Sequence, residues 1–296
     1  MRAARRMSLA GAAYAVAAYT TWGVLPVYWK ALAAIPAVEV IAHRVLWTVV
    51  VGAVLLSLLG RWGELRAAAR DRRERLSLLA SGTVIGGNWL IYVWAVNHDQ
   101  LLEASFGYYL NPLLSVLLGV AFLDERLRRP QLAAVALAGL GVAALGIQFG
   151  GLPWISLSLA ASFGLYGLLH KLGSVRPIPG LTLEIAFIAP VAAAALAAFE
   201  ARGTGAVGSA TLAEQALLVG SGVATALPLL LFASAARRLA LSTLGLFQYI
   251  APSLSLGVAV WLYDEAFTAA HAVTFGLIWC ALALYTWDGF VRVRRL

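Results

Sequence analysis

The groups in this 296-residue chain able to do chemistry are few and scattered: four histidines, fourteen acidic residues and a single cysteine. His43, His98, His170 and His271 stand far apart and never at the spacing of a metal site. No HExxH, GxSxG or GxxxxGK[ST] occurs, which argues against a zinc hydrolase, a serine hydrolase or an ATP-driven pump. The lone Cys280 supports neither a disulfide framework nor a metal centre, so no cofactor is expected. The polar residues that stand out do so because of their apolar surroundings. Glu39, His43 and Arg44 interrupt one such stretch, and Asn88, Trp89 and Tyr92 another. Glu103, Ser105, Tyr108, Tyr109 and Asn111 precede Pro112, while Gln248 and Tyr249 precede Pro252.

A charge deep in a membrane helix costs roughly 2.5–3.5 kcal/mol on insertion scales, so it faces a cavity or a partner. Arg44 there is suited to holding a carboxylate bidentately. Glu39 and His43, four apart, can hydrogen-bond along one helix face or simply anchor helix ends. Asn88 and Tyr92 share a face at helical spacing, behind a Gly86-Gly87 pair that equally suits close packing. With Trp22, Pro26, Ser105, Tyr109, Tyr166, Gln248 and Tyr249 they form a candidate set for an aromatic-walled small-molecule cavity. Ser158, Ser162, Tyr166 and His170 make a four-spaced stripe of the kind that more often packs helices. Glu184 is a candidate proton carrier or a helix-end anchor.

The elements that position these residues are dictated by composition. The chain is 61% hydrophobic and 12% charged, with mean hydropathy +0.84, whereas a soluble domain carries about a quarter charged residues. Long charge-free runs predict an all-α polytopic membrane protein with ten spans. They lie near 8–30, 37–59, 76–97, 100–123, 131–149, 152–170, 178–199, 214–236, 240–263 and 267–289. Intramembrane charge is expected to weaken the apolar signal of 37–59 and 178–199. The first run is too long for a cleavable signal and reads as an uncleaved span.

The +8 net charge invites a polyanion partner, but its distribution does not. With the N-terminus placed in the cytoplasm, 19 of the 22 Lys and Arg residues fall on that side. The positive-inside rule then puts both termini in the cytoplasm and makes lipid, not nucleic acid, the partner.

An internal repeat runs through the chain. YYLNPLLSVLLGVAFLDE at 108–125 matches QYIAPSLSLGVAVWLYDE at 248–265, 140 residues later. Tyr109 meets Tyr249, Pro112 meets Pro252, Ser115 meets Ser255, and Asp124-Glu125 meets Asp264-Glu265. Ser81-Gly82 likewise meets Ser221-Gly222. Two halves, 1–150 and 151–296, follow, each of five spans, so the second enters the bilayer upside down. Pro26, Pro112 and Pro252 would kink helices near the midplane, where inverted-repeat transporters hold substrate.

The segments GGNWLIYVWAVNHDQLLEASFGYYLNPL (86–113), FLDERLRR and RLALSTLGLFQYIAPSL (238–254) resemble the RarD-like permeases of the EamA group, in the drug/metabolite transporter superfamily. The resemblance spans the chain. It departs where members often carry Gly-Glu-Arg and this chain has Asp124-Glu125-Arg126. It implies a ten-helix bundle of two inverted five-helix repeats. Helices 1–4 and 6–9 would surround a central cavity, with 5 and 10 outside. It also implies export of amino acids or related metabolites by alternating access from a bacterial inner membrane. Drug efflux of the chloramphenicol type is the alternative, and an intramembrane enzyme the reading from another class.

Overall fold

The computed structural model describes residues 8–98, 101–148, 154–262 and 269–293, and among these every regular element is an α-helix. In chain order they are α1 (Leu9–Lys30), α2 (Ala37–Leu58), α3 (Trp62–Arg70), α4 (Arg72–Asn97), α5 (Leu101–Leu123), α6 (Arg129–Gln148) and α7 (Trp154–Leu172). Then follow α8 (Pro177–Ala201), α9 (Ala206–Ser209), α10 (Leu212–Ala236), α11 (Leu241–Phe247), α12 (Ile250–Leu262) and α13 (Ala269–Val293). Each of the ten expected spans falls on a long helix or, for 240–263, on the α11–α12 pair.

Local chemistry sets the helix starts. The Ser8 side chain accepts from Gly11 N, Asp71 caps α4 through Glu74 N, and Thr211 with Glu214 closes a capping box on α10. Proline opens α8, where the missing N–H has no intrahelical partner to lose.

Among the described residues, six stretches are both long and apolar enough to cross a membrane: α2, α4, α7, α8, α10 and the α11–α12 run. The apolar parts of α5, α6 and α13 are shorter, at 107–123, 129–143 and 272–285. The expected weakness of 37–59 and 178–199 is not found. With α10, α2 and α8 are the most apolar of the six, because valine, leucine and alanine outweigh one or two charges.

One end of the bundle collects charge. Arg176 pairs with Glu64, Arg237 donates to the Ser174 and Val175 carbonyls, and Lys171 donates to Leu239 O. Arg128 pairs with Asp288 at 2.8 Å. The Glu125 carboxylate accepts from Leu241 N, Ser242 N and Ser242 Oγ at 2.6–2.9 Å, capping α11. At the opposite end, Glu39 Oε1 accepts from Ala206 N at 2.6 Å and Tyr28 donates to Leu217 O.

Helix contacts follow the 140-residue offset. That shift carries α1 to α7, α2 to α8, α4 to α10, α5 to α11–α12 and α6 to α13. The partners α2–α8, α5–α11 and α6–α13 pack directly on one another. The contact α1–α10 has its counterpart in α7–α4, α1–α12 in α7–α5, and α2–α10 in α8–α4.

The matched prolines differ in effect. α5 runs unbroken through Pro112, whereas the chain before Pro252 breaks into a turn at Gln248 and Tyr249 between α11 and α12. Proline cannot donate to the carbonyl four residues back; Gln248 O is taken instead by Ala251 N at 3.1 Å.

Candidate substrate site

Arg44 sits on the eighth residue of α2, and three other helices close on its guanidinium. Trp29 of α1 lies with its ring centre 4.4 Å from the Arg44 Cζ, and Trp89 of α4 at 5.1 Å. The Nε donates to Thr225 Oγ1 of α10 at 3.0 Å. The phenols of Tyr92 and Tyr108 lie near enough to feel the guanidinium charge, their rings 6.2 Å apart. Among the described residues no carboxylate stands within ion-pair distance of Arg44. A guanidinium held by two indoles and one hydroxyl keeps donors for an incoming anion. Its planar fork fits a carboxylate.

Toward the arginine-rich end an aromatic cluster begins. Trp22 packs at 5.5–5.8 Å against Tyr19, Phe163 and Phe232. Tyr166, fully buried, stacks on Phe232 at 5.7 Å and meets the His170 ring edge-on at 4.4 Å. Such walls supply apolar area with few polar handles.

The remaining candidates divide between holding the bundle and lining its interior. Asn88 spends both amide hydrogens on α7, donating to Leu159 O at 3.0 Å and Ser162 Oγ at 2.8 Å. His43 is buried with its Nε2 unpartnered. It makes no hydrogen bond with Glu39, whose carboxylate caps α9 instead. Glu39 therefore anchors a helix end. Gln248 donates to Ser115 Oγ at 3.3 Å and keeps its Oε1 unpaired. The repeat-related tyrosines do meet: the Tyr249 hydroxyl donates to Tyr109 O at 3.2 Å. The Tyr109 ring, however, packs against Phe275 of α13 at 5.6 Å. Pro26 is exposed on α1, Pro112 is buried in α5, and Pro252 is half-buried on α12. The side chain of Ser105, like those of Glu103 and His271, lies outside the described residues, as do Asp264 and Glu265.

Trp29 and Thr225 were not legible as site residues, because an indole near a helix end and a threonine in an apolar run are each commonplace. Only the charge they surround marks them. No group of three or more His, Cys, Asp or Glu able to hold a metal occurs among the described residues.

A multi-pass bundle of apolar helices with a caged cation and an aromatic interior defines a polytopic membrane protein. Residues 9–147 match the EamA-like transporter family. The chain is 48% identical to an uncharacterized transporter of Vibrio cholerae over 94% of this chain and 92% of that one. It is 43% identical to the protein RarD of Escherichia coli over 96% of both. It is also 31% identical to the chloramphenicol-sensitive protein RarD of Pseudomonas aeruginosa, over 98% of each. A crystal structure of 20% identity superposes with a TM-score of 0.75 over 94% of this chain and 97% of the other, and so shares its fold. The chain belongs to the EamA-like transporter family, as a RarD-like permease.

Proposed function

We propose that this permease exports amino acids, aromatic and apolar ones included, or related carboxylate metabolites by alternating access. Two inverted five-helix repeats, 1–150 and 151–296, would rock about a midplane site. The observation that carries the substrate reading is the Arg44 guanidinium, braced by Trp29, Trp89 and Thr225 with no carboxylate paired to it among the described residues. A substrate carboxylate supplies that missing charge, and Trp22, Tyr92, Tyr108, Phe163 and Phe232 accept an apolar side chain. The self-consistent mapping of helix contacts under the 140-residue shift supports the repeat. The gathering of Arg128, Lys171, Arg176 and Arg237 at one end supports termini on the cytoplasmic side.

A panel of labelled amino acids in proteoliposomes tests this. Phenylalanine, methionine and threonine should exchange, and Arg44→Ala should abolish exchange while the protein stays folded. Equal exchange by wild type and Arg44→Ala would remove the site assignment. Drug efflux is the second reading, favoured by the relative named for chloramphenicol sensitivity. Chloramphenicol carries no carboxylate, so its transport would survive the loss of Arg44.

A further inference from the structure

A second polar cluster lies toward the arginine-rich end. Glu184 of α8 is completely buried. Its Oε2 accepts from Ser81 Oγ of α4 at 2.7 Å and stands 3.1 Å from His170 Nε2 of α7, while Oε1 has no hydrogen-bond partner among the described residues. The Tyr166 hydroxyl is buried beside the same carboxylate without a well-angled hydrogen bond. Among the described residues no arginine or lysine pairs with Glu184. A carboxylate and an imidazole this close, with no other charge paired to them among the described residues, can hold one proton between them. At 3.1 Å the two are in contact without hydrogen-bond alignment, and a small rotation of the imidazole would let the proton pass between them.

The surroundings give that proton a route. A cavity with about 20 Å³ of room for water centres, enough for one water, is lined by Ser81, His170, Gly180 and Ala233. Glu74, Arg176 and Arg237 also line it. These charges are engaged elsewhere: Arg176 with Glu64 of α3, Arg237 with two backbone carbonyls, and Glu74 with Ser174. From α2, Gly52 packs against Thr182, and the titratable residues of that helix, Glu39, His43 and Arg44, stand two or more turns away. His170 and Tyr166 are thus the titratable groups that share the depth of Glu184.

The 140-residue shift places Glu184 on Arg44. Each is the eighth residue of its helix, α8 from Pro177 and α2 from Ala37, and the two helices begin at opposite ends of the bundle. Two helices join the sites. Ser81 and Asn88 are seven apart on α4, and Thr225 and Phe232 seven apart on α10. Phe232 stacks on Tyr166 and lies 6.3 Å from His170, with Pro228 between it and Thr225. A change at the carboxylate that loosens the Ser81 tie reaches α4 and α10, the helices that hold the Arg44 cage.

We propose that Ser81, His170 and Glu184 form a proton-binding site that latches the arginine-rich end of the bundle and couples transport to a proton. The coupling, though not the proton site itself, rests on the transporter reading above. One proton from water in the cavity adds to the Glu184–His170 pair and later leaves the same pair to water, and no other bond changes. The protonated carboxyl can donate to Ser81, whereas the carboxylate only accepts from it. The tie between α4 and α8 therefore differs in the two states.

Infrared titration of reconstituted protein tests the site without any substrate. A protonated-carboxyl band that grows on acidification should vanish in Glu184→Gln and move in His170→Gln. Glutamine keeps the shape and an acceptor for Ser81, so the fold should survive. A titrating band unchanged in Glu184→Gln overturns the proposal. Coupling is read separately with labelled phenylalanine in proteoliposomes. One proton per molecule permits up to about tenfold accumulation for each unit of pH gradient. Glu184→Gln should lose that accumulation yet retain exchange at equal pH, whereas gradient-driven accumulation by this variant also overturns the proposal. No exchange of phenylalanine by wild type, with the band behaving as expected, sinks the amino-acid reading and leaves the proton site standing.

Discussion

Single residues decide most of the chemistry argued above, and they differ in how far the sequence reveals them. Arg44 was legible because a charge within a run of valine and leucine has few structural excuses. Of its companions only Trp89 stands out in the sequence; Trp29 and Thr225 come from α1 and α10 and converge on it only in three dimensions. The neighbouring tyrosines show the same limit. The repeat singles out Tyr109, yet Tyr108 is the one whose phenol approaches Arg44. Tyr108→Ala should therefore slow exchange by tenfold or more with little change in melting temperature. Tyr109→Ala removes a ring packed on Phe275 and should lower stability instead, by about 1–3 kcal/mol. Thermal unfolding in detergent alongside exchange rates separates the two, and the reverse pattern would undo the placement of Tyr108. Asp124 makes a smaller point. Its φ of +52° lies in the left-handed region, which glycine enters freely and aspartate tolerates at a cost. The departure from Gly-Glu-Arg is thus a conformational one, and Asp124→Gly should stabilise the end of α5 by up to about 1 kcal/mol, raising the melting temperature without altering transport.

At the scale of elements, nine of the ten expected spans appeared as single long helices, because apolar runs between arginine clusters are a strong signal. What the sequence left open was the fate of the matched prolines. Pro112 sits inside a continuous α5, while the chain at Pro252 splits into α11 and α12. The turn between them exposes Gln248 and Tyr249 to α5, where Ser115 and the Tyr109 carbonyl receive them. Pro252→Ala restores a donor and favours one straight helix through that turn. Transport should fall several-fold while the bundle stays assembled, and unaltered exchange would show that the break serves packing alone. The glycines of the repeat carry a matching constraint. A Cβ on Gly82 would come within 2.6 Å of Glu184 O, and one on Gly222 within 2.5 Å of Trp47 C and O. Backbone cannot yield as a side-chain tip does, so Gly82→Ala and Gly222→Ala should each cost about 1–3 kcal/mol. Their equal standing at the two sequence-related positions is the part that unfolding measurements check.

For the whole molecule the question is whether the two halves are truly inverted. Ten crossings divided at an odd number would leave matched segments on opposite faces, and the charge pattern is what that arrangement predicts. The segment after α5 carries Arg126, Arg128 and Arg129, whereas the matching positions 266, 268 and 269 hold Ala266, Thr268 and Ala269. The side of the membrane follows from lysine and arginine, not from the repeat, so identical ancestry with opposite flanks is the expected mark of inversion. Such an inversion would account for Arg44 and Glu184 each standing eighth in helices that begin at opposite ends of the bundle. Cysteine labelling resolves it. In a Cys280→Ala background, Arg126→Cys should react with an impermeant maleimide only when the cytoplasmic face is open to it. Ala266→Cys should react from the outside of intact cells. Both sites reacting from one face would mean that the halves run parallel. Arg44 and Glu184 would then fall at the same depth, and a substrate site and a proton site at opposite ends of the bundle would have no structural basis.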